Sequence, residues 1–76
     1  KDNSFDDYFA EACRLVVDKK KASSGMLQRV YKIGFNRAAR IIDQMEACGV
    51  VGPEEGTKPR TVLMNEIQLE ELLSSM

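Results

Sequence analysis

The sequence predicts an α+β domain, mainly α, in the order of a winged helix-turn-helix: three helices, a β-hairpin wing and a short C-terminal helix. Three observations lead there. Apolar residues recur at helical spacing in three stretches between residues 5 and 48. The turn Ile33-Gly34-Phe35 separates the second stretch from the third. Two strand-like runs, Val50-Val51 and 60–64, flank a loop rich in Gly and Pro. A chain of 76 residues holds one domain, 1–76, with a core over about 5–64 and a short acidic helical tail over 65–76.

The first helix is expected over 5–19. Ser4 suits its N-cap, Asp6 and Asp7 suit the positive end of its dipole, and Lys19, Lys20 and Lys21 suit the negative end. Phe5, Tyr8, Phe9, Ala12, Leu15 and Val16 form its apolar face. A second helix begins at Ser23 or Ser24 and runs to about Lys32, with Met26, Leu27, Val30 and Tyr31 inward. Gly34 can supply the positive φ that ends it. A third helix spans about 36–48, capped by Asn36 or starting a residue or two earlier, and stops at Gly49. Ala38, Ile41, Ile42 and Met45 are its buried face. After the hairpin, 66–73 reads as a helix with Ile67, Leu69, Leu72 and Leu73 as its apolar residues.

Composition narrows the class. With 43% hydrophobic and 30% charged residues the chain is ordinary for a globular domain and wrong for a disordered one. The net charge of −1 excludes a uniformly basic nucleic-acid coat, but the layout is uneven. Residues 1–13 carry a net −3, residues 14–40 a net +7, and residues 41–76 a net −5. The basic block is either a solvated helical surface or a face for an anionic partner. Cys13 and Cys48 lack metal or redox spacing, there is no His, and both read as small buried thiols in reducing surroundings. No apolar run approaches the roughly 20 residues that span a bilayer, and no signal peptide is visible. The chain opens on Lys1 and not on Met, which reads as a fragment of something longer.

The third helix carries the most informative side chains. Asn36, Arg40 and Asp43 share one exposed ridge at i, i+4 and i+7, flanked by small alanines. Asn reads adenine N6 and N7, Arg reads guanine O6 and N7, and a carboxylate accepts from cytosine N4. The plainer reading is an Arg40–Asp43 surface pair worth only about 0.2–0.5 kcal/mol. Arg29, Lys32 and Arg37 are candidate phosphate contacts, and so is the lysine run 19–21 beside its capping role. Lys58 and Arg60 are wing charges or solvated loop residues, with Glu54 and Glu55 weakening the first reading. Gly52 to Lys58 fails as a phosphate loop, because a Pro and a strand follow where Ser or Thr and a helix belong. Nothing resembles a catalytic constellation, and no cofactor, metal or small-molecule substrate is expected.

The stretch 22–29, Ala-Ser-Ser-Gly-Met-Leu-Gln-Arg, and the stretch 33–46, Ile-Gly-Phe-Asn-Arg-Ala-Ala-Arg-Ile-Ile-Asp-Gln-Met-Glu, closely resemble the C-terminal gamma domain of the FtsK/SpoIIIE bacterial DNA translocases. Gly49-Val50-Val51 and Lys58-Pro59-Arg60-Thr61-Val62-Leu63 continue the likeness, which covers about residues 6–64. The wing is more similar to the Gram-positive, SpoIIIE-type branch. The resemblance implies a winged helix that reads short polar G-rich octamers in double-stranded DNA. It implies several copies on one site and a hexameric ATP-driven motor loaded or oriented in chromosome segregation, at division or sporulation. In some members a site-specific recombinase is a partner. The domain would be cytoplasmic and non-catalytic, within a parent anchored in the membrane at the division septum. The family's reading residues match Asn36, Arg40 and Asp43, with Phe35 where many members have Tyr and Asp43 where several have Glu. Two other functions fit the same fold order: a winged-helix protein-interaction module and a small transcriptional regulator.

Overall fold

A computed structural model describes residues 5–76, so the expected Ser4 cap lies outside the described residues. Four helices follow one another: α1 (Phe9–Lys19), α2 (Ser24–Tyr31), α3 (Phe35–Ala47) and α4 (Glu66–Ser74). Helix α1 begins later than the 5–19 pattern suggests. Asp6 explains the delay: its carboxylate accepts from the Tyr8 N–H at 2.9 Å and its carbonyl accepts from the Phe9 N–H at 2.9 Å. Residues 6–8 therefore make a side-chain-stabilised turn before the helix proper.

Ser23 caps α2, accepting from the Met26 N–H at 3.1 Å. The reversal after α2 corrects one expectation. Lys32, at φ +56°, takes the left-handed conformation, while Gly34 sits at φ −79° and ψ 171°. The chain must turn at once after Tyr31. By Gly34 it is already extended as the N-cap of α3, where its carbonyl accepts from the Ala38 N–H at 3.1 Å. Asn36 consequently lies inside the first turn of α3 and is not its cap.

Helix α3 ends in a Schellman motif. Gly49 at φ +82° donates to the Glu46 carbonyl at 3.0 Å, and Val50 donates to the Met45 carbonyl at 2.8 Å. Both Met45 and Val50 are fully buried, so the hydrogen-bonded closure is also a packed one.

The two expected strands are a second correction. They shrink to isolated antiparallel bridges, Ala22 with Arg60, Val51 with Val62 and Glu55 with Lys58. The Gly52 N–H donates to Thr61 at 2.9 Å and the Leu63 N–H to Val50 at 2.8 Å. Pro53 and Pro59 bring no N–H, so a continuous ladder cannot extend past either. Helix α4 is fixed by a reciprocal box between Asn65 and Gln68, with bonds of 2.8 and 2.9 Å.

Helix α1 is the middle of the bundle: α3 packs on it, α4 packs on it, and α2 packs on α3. Phe9, Ala12, Cys13, Val16, Leu27, Ala38, Ile41, Met45, Val51 and Leu69 belong to one buried cluster. Two residues expected inside are outside: Val30 is 51% exposed and Ile67 72%. Their helices have eight and nine residues, and only Met26 and Leu27 of α2 and Leu69 of α4 are buried. Phe5 is also exposed, resting its ring against Phe9 at 4.6 Å. Among the described residues no helix is long and apolar enough to cross a membrane.

Candidate nucleic-acid interface

The amphipathic pattern of α3 decides which side chains face outward. Ala38, Ile41, Ile42 and Met45 are buried, leaving Asn36, Arg40 and Asp43 exposed along the opposite ridge. The Schellman closure and the Gly34 cap fix both ends of this helix, and the cap leaves the Asn36 side chain unused. Asn36 and Arg40 make no side-chain hydrogen bond or ion pair with any described residue. The Arg40–Asp43 surface pair does not form.

Asp43 is held instead by Arg60, from the segment after the loop. The Arg60 guanidinium donates to Glu46 Oε1 at 2.9 Å and to Asp43 Oδ1 at 3.4 Å. Its side chain is only 16% exposed, against 69% for Asp43 and 45% for Glu46. Asp43 and Glu46 are the only acids on α3, so both carry a cationic partner.

Arg37 is tied to the N-terminal turn. Its Nε and Nη2 donate to Asp6 at 2.8 and 3.0 Å, a two-pronged pair, and its guanidinium lies 4.8 Å from the centre of the Tyr8 ring. Tyr8 in turn stacks on Tyr31 of α2 at 4.8 Å. The Asp6 side chain is 7% exposed and that of Arg37 is 42% exposed. The hydrogen-bonded guanidinium of Arg37 holds the Asp6 carboxyl below its usual pKa, against an opposing effect of burial. The Asp6 N–H also donates to Gln44 Oε1 at 3.2 Å, adding a second tether between this turn and α3.

Arg29, Lys32 and Lys58 are exposed and carry no side-chain partner among the described residues. Between α3 and the loop opens a cleft of about 580 Å³, lined among others by Ser23, Phe35, Ala39, Asp43, Thr57 and Lys58. Thus Asn36, Arg40 and Asp43 share one ridge of α3, and of the three Asp43 lines the cleft together with Lys58. Arg37 and Arg60 are both engaged by carboxylates. Sequence spacing could not reveal those pairings, which join residues 31 and 17 positions apart. Tyr8 was legible only as an apolar position, not as the platform under Arg37.

Cys13 is buried and Cys48 partly so. Burial pushes the Cys13 thiol up to about 12, which makes it inert near neutrality. Among the described residues no group of His, Cys, Asp and Glu could hold a metal ion.

Comparison with known proteins fits this helix order. The family described as the Ftsk gamma domain matches residues 3–65. The chain is 63% identical over 57 residues to the DNA translocase FtsK of Lactiplantibacillus plantarum, covering 75% of this chain and 7% of that protein. It is 52% identical over 69 residues to the DNA translocase SpoIIIE of Bacillus subtilis, covering 91% of this chain and 9% of that protein. The FtsK of Listeria monocytogenes is 60% identical over 57 residues, covering 75% of this chain and 8% of that protein. The chain thus spans less than a tenth of the length of these relatives. The match runs unbroken through α1, α2, α3 and the bridged segments, and the chain belongs to the FtsK gamma domain family.

Proposed function

We propose that this domain is a sequence-specific reader of double-stranded DNA within a DNA translocase. In this reading the fold is a winged helix-turn-helix: α3 enters the major groove and the 52–59 loop serves as the wing. Asn36, Arg40 and Asp43 face base edges. Arg29, Lys32 and Lys58 contact phosphates, and Arg37 joins them through the exposed part of its guanidinium. The single observation that carries the reading is the exposed Asn36–Arg40 ridge, whose side chains make no hydrogen bond or ion pair among the described residues, on a helix whose two acids share the one guanidinium of Arg60. One cation shared between two acids offsets part of their charge and so lessens the repulsion this helix would meet on approaching phosphates. The readable site is a short polar G-rich octamer. Its recognition loads or orients the hexameric ATP-driven motor of the parent protein, anchored at the septal membrane, and the domain itself is non-catalytic. One copy binds weakly, several copies share a site, and a site-specific recombinase is a further partner of the parent.

Gel shift against a G-rich octamer duplex and a scrambled duplex of the same composition tests this. Binding through three to five phosphates gives log K falling with a slope of roughly −3 to −5 against log salt. Arg40→Ala is expected to erase the preference for the octamer. Equal loss on both duplexes makes Arg40 a phosphate contact, and a flat salt dependence removes the DNA reading altogether.

A further inference from the structure

We infer that Arg60 is a positioning residue that sets the orientation of Asp43 for base reading, and is not itself a phosphate contact. The inference rests on the proposed DNA-reading role. Arg60 is fixed at both ends. Its backbone N–H donates to the Ala22 carbonyl at 2.9 Å, joining the segment before α2. Its guanidinium reaches Glu46 at 2.9 Å and Asp43 at 3.4 Å, one helical turn apart on α3. A planar fork with fixed donors can span two such carboxylates, whereas a Lys ammonium offers one point of charge.

With a side chain 16% exposed, Arg60 reaches a phosphate only by abandoning both acids. That exchange would leave two bare carboxylates on the helix nearest the DNA. Kept in place, Arg60 holds one oxygen of Asp43, and the other stays free on a side chain 69% exposed. A carboxylate restrained at one oxygen and open at the other can accept from a cytosine N4 amine in a defined direction. The segment after the loop thereby contributes to specificity without touching a base.

The test begins with selection of preferred sequences by the 76-residue chain from a duplex library randomised over eight base pairs. Arg60→Gln, Asp43→Asn and the double variant are then measured on the selected site and its single-base-pair variants. The expected result is that Arg60→Gln and Asp43→Asn flatten the preference at the same base pair by about tenfold. The double variant loses no more there than Asp43→Asn alone. The inference is overturned if Arg60→Gln keeps every base-pair preference while weakening all duplexes uniformly, or if the two losses add. Should Arg60→Gln unfold, Arg60→Lys replaces it: a partial loss at that base pair supports positioning, and an unchanged preference refutes it. A wild-type chain that enriches no sequence fails differently, removing the DNA reading and this role together.

Discussion

Two glycines border α3, and the same substitution at each should move stability in opposite directions. Gly49 stands at φ +82° and Gly34 at φ −79°. A Cβ at position 49 would find Met64 Cε at 3.9 Å as its nearest neighbour, an ordinary contact, so the penalty there is purely one of backbone conformation. A left-handed L-residue costs about 1–2 kcal/mol. Restricting the unfolded chain returns about 0.4–1 kcal/mol. Gly49→Ser should therefore destabilise by about 1 kcal/mol, which for a chain of this size lowers Tm by about 4–8 °C. At position 34 a Cβ meets nothing within 4 Å and the φ suits any residue. Gly34→Ser keeps the unfolded-state gain and adds a side-chain acceptor at an N-cap, for a stabilisation of about 0.5–1 kcal/mol. Urea denaturation followed by helical circular dichroism measures both midpoints. Shifts of the same sign, or a Gly49→Ser midpoint equal to wild type, would refute the assignment of the left-handed residue to Gly49.

Two further outcomes follow from buried groups. The Asp6 carboxyl titrates below its ordinary 3.8 because Arg37 bonds its charged form. Its contribution is therefore complete well above that value and is lost as pH falls through the lowered one. The stability difference between wild type and Asp6→Asn, followed by thermal melts from neutrality to about pH 2, should hold steady and then shrink below about pH 4; a difference indifferent to pH would contradict the pairing. A thiol-alkylating reagent at pH 8 should label Cys48 well before Cys13, whose thiol is buried and raised to about 12. Mass spectrometry that found Cys13 modified first in the folded chain would place it outside the core.

Much of this architecture was legible in the residues because periodicity and capping act locally. The inward face of α3, the start of α2 at Ser23 or Ser24 and the terminal Gly49 are each decided by neighbours within a turn. At the turn before α3 Gly34 has the freedom for φ > 0, but Lys32 occupies the place where reversal is required. A residue's capacity does not fix where a chain must bend. The apolar runs flanking the loop carry strand propensity, while Pro53 and Pro59 limit the hydrogen bonding to single bridges. In the candidate interface the ridge could be read from spacing alone, but the occupation of Arg37 and Arg60 could not. Which cations stay available depends on pairings across the fold, and charge counts along the chain are blind to them.

The position of α1 between α3 and α4 has an electrical consequence. Glu66, Glu70 and Glu71 lie on α4, with Glu70 paired to Arg14 of α1 at 3.1 Å, whereas Arg29 lies on α2, Lys32 just past its end, and Arg37 and Arg40 on α3. With a net charge of −1 the body has almost no monopole, so what a neighbouring charge meets is decided by which helix faces it. Its extents, 30 × 24 × 19 Å, exceed the Debye length of about 8 Å at physiological ionic strength. A charge at one face is therefore screened from the opposite face, and each face acts through its own side chains.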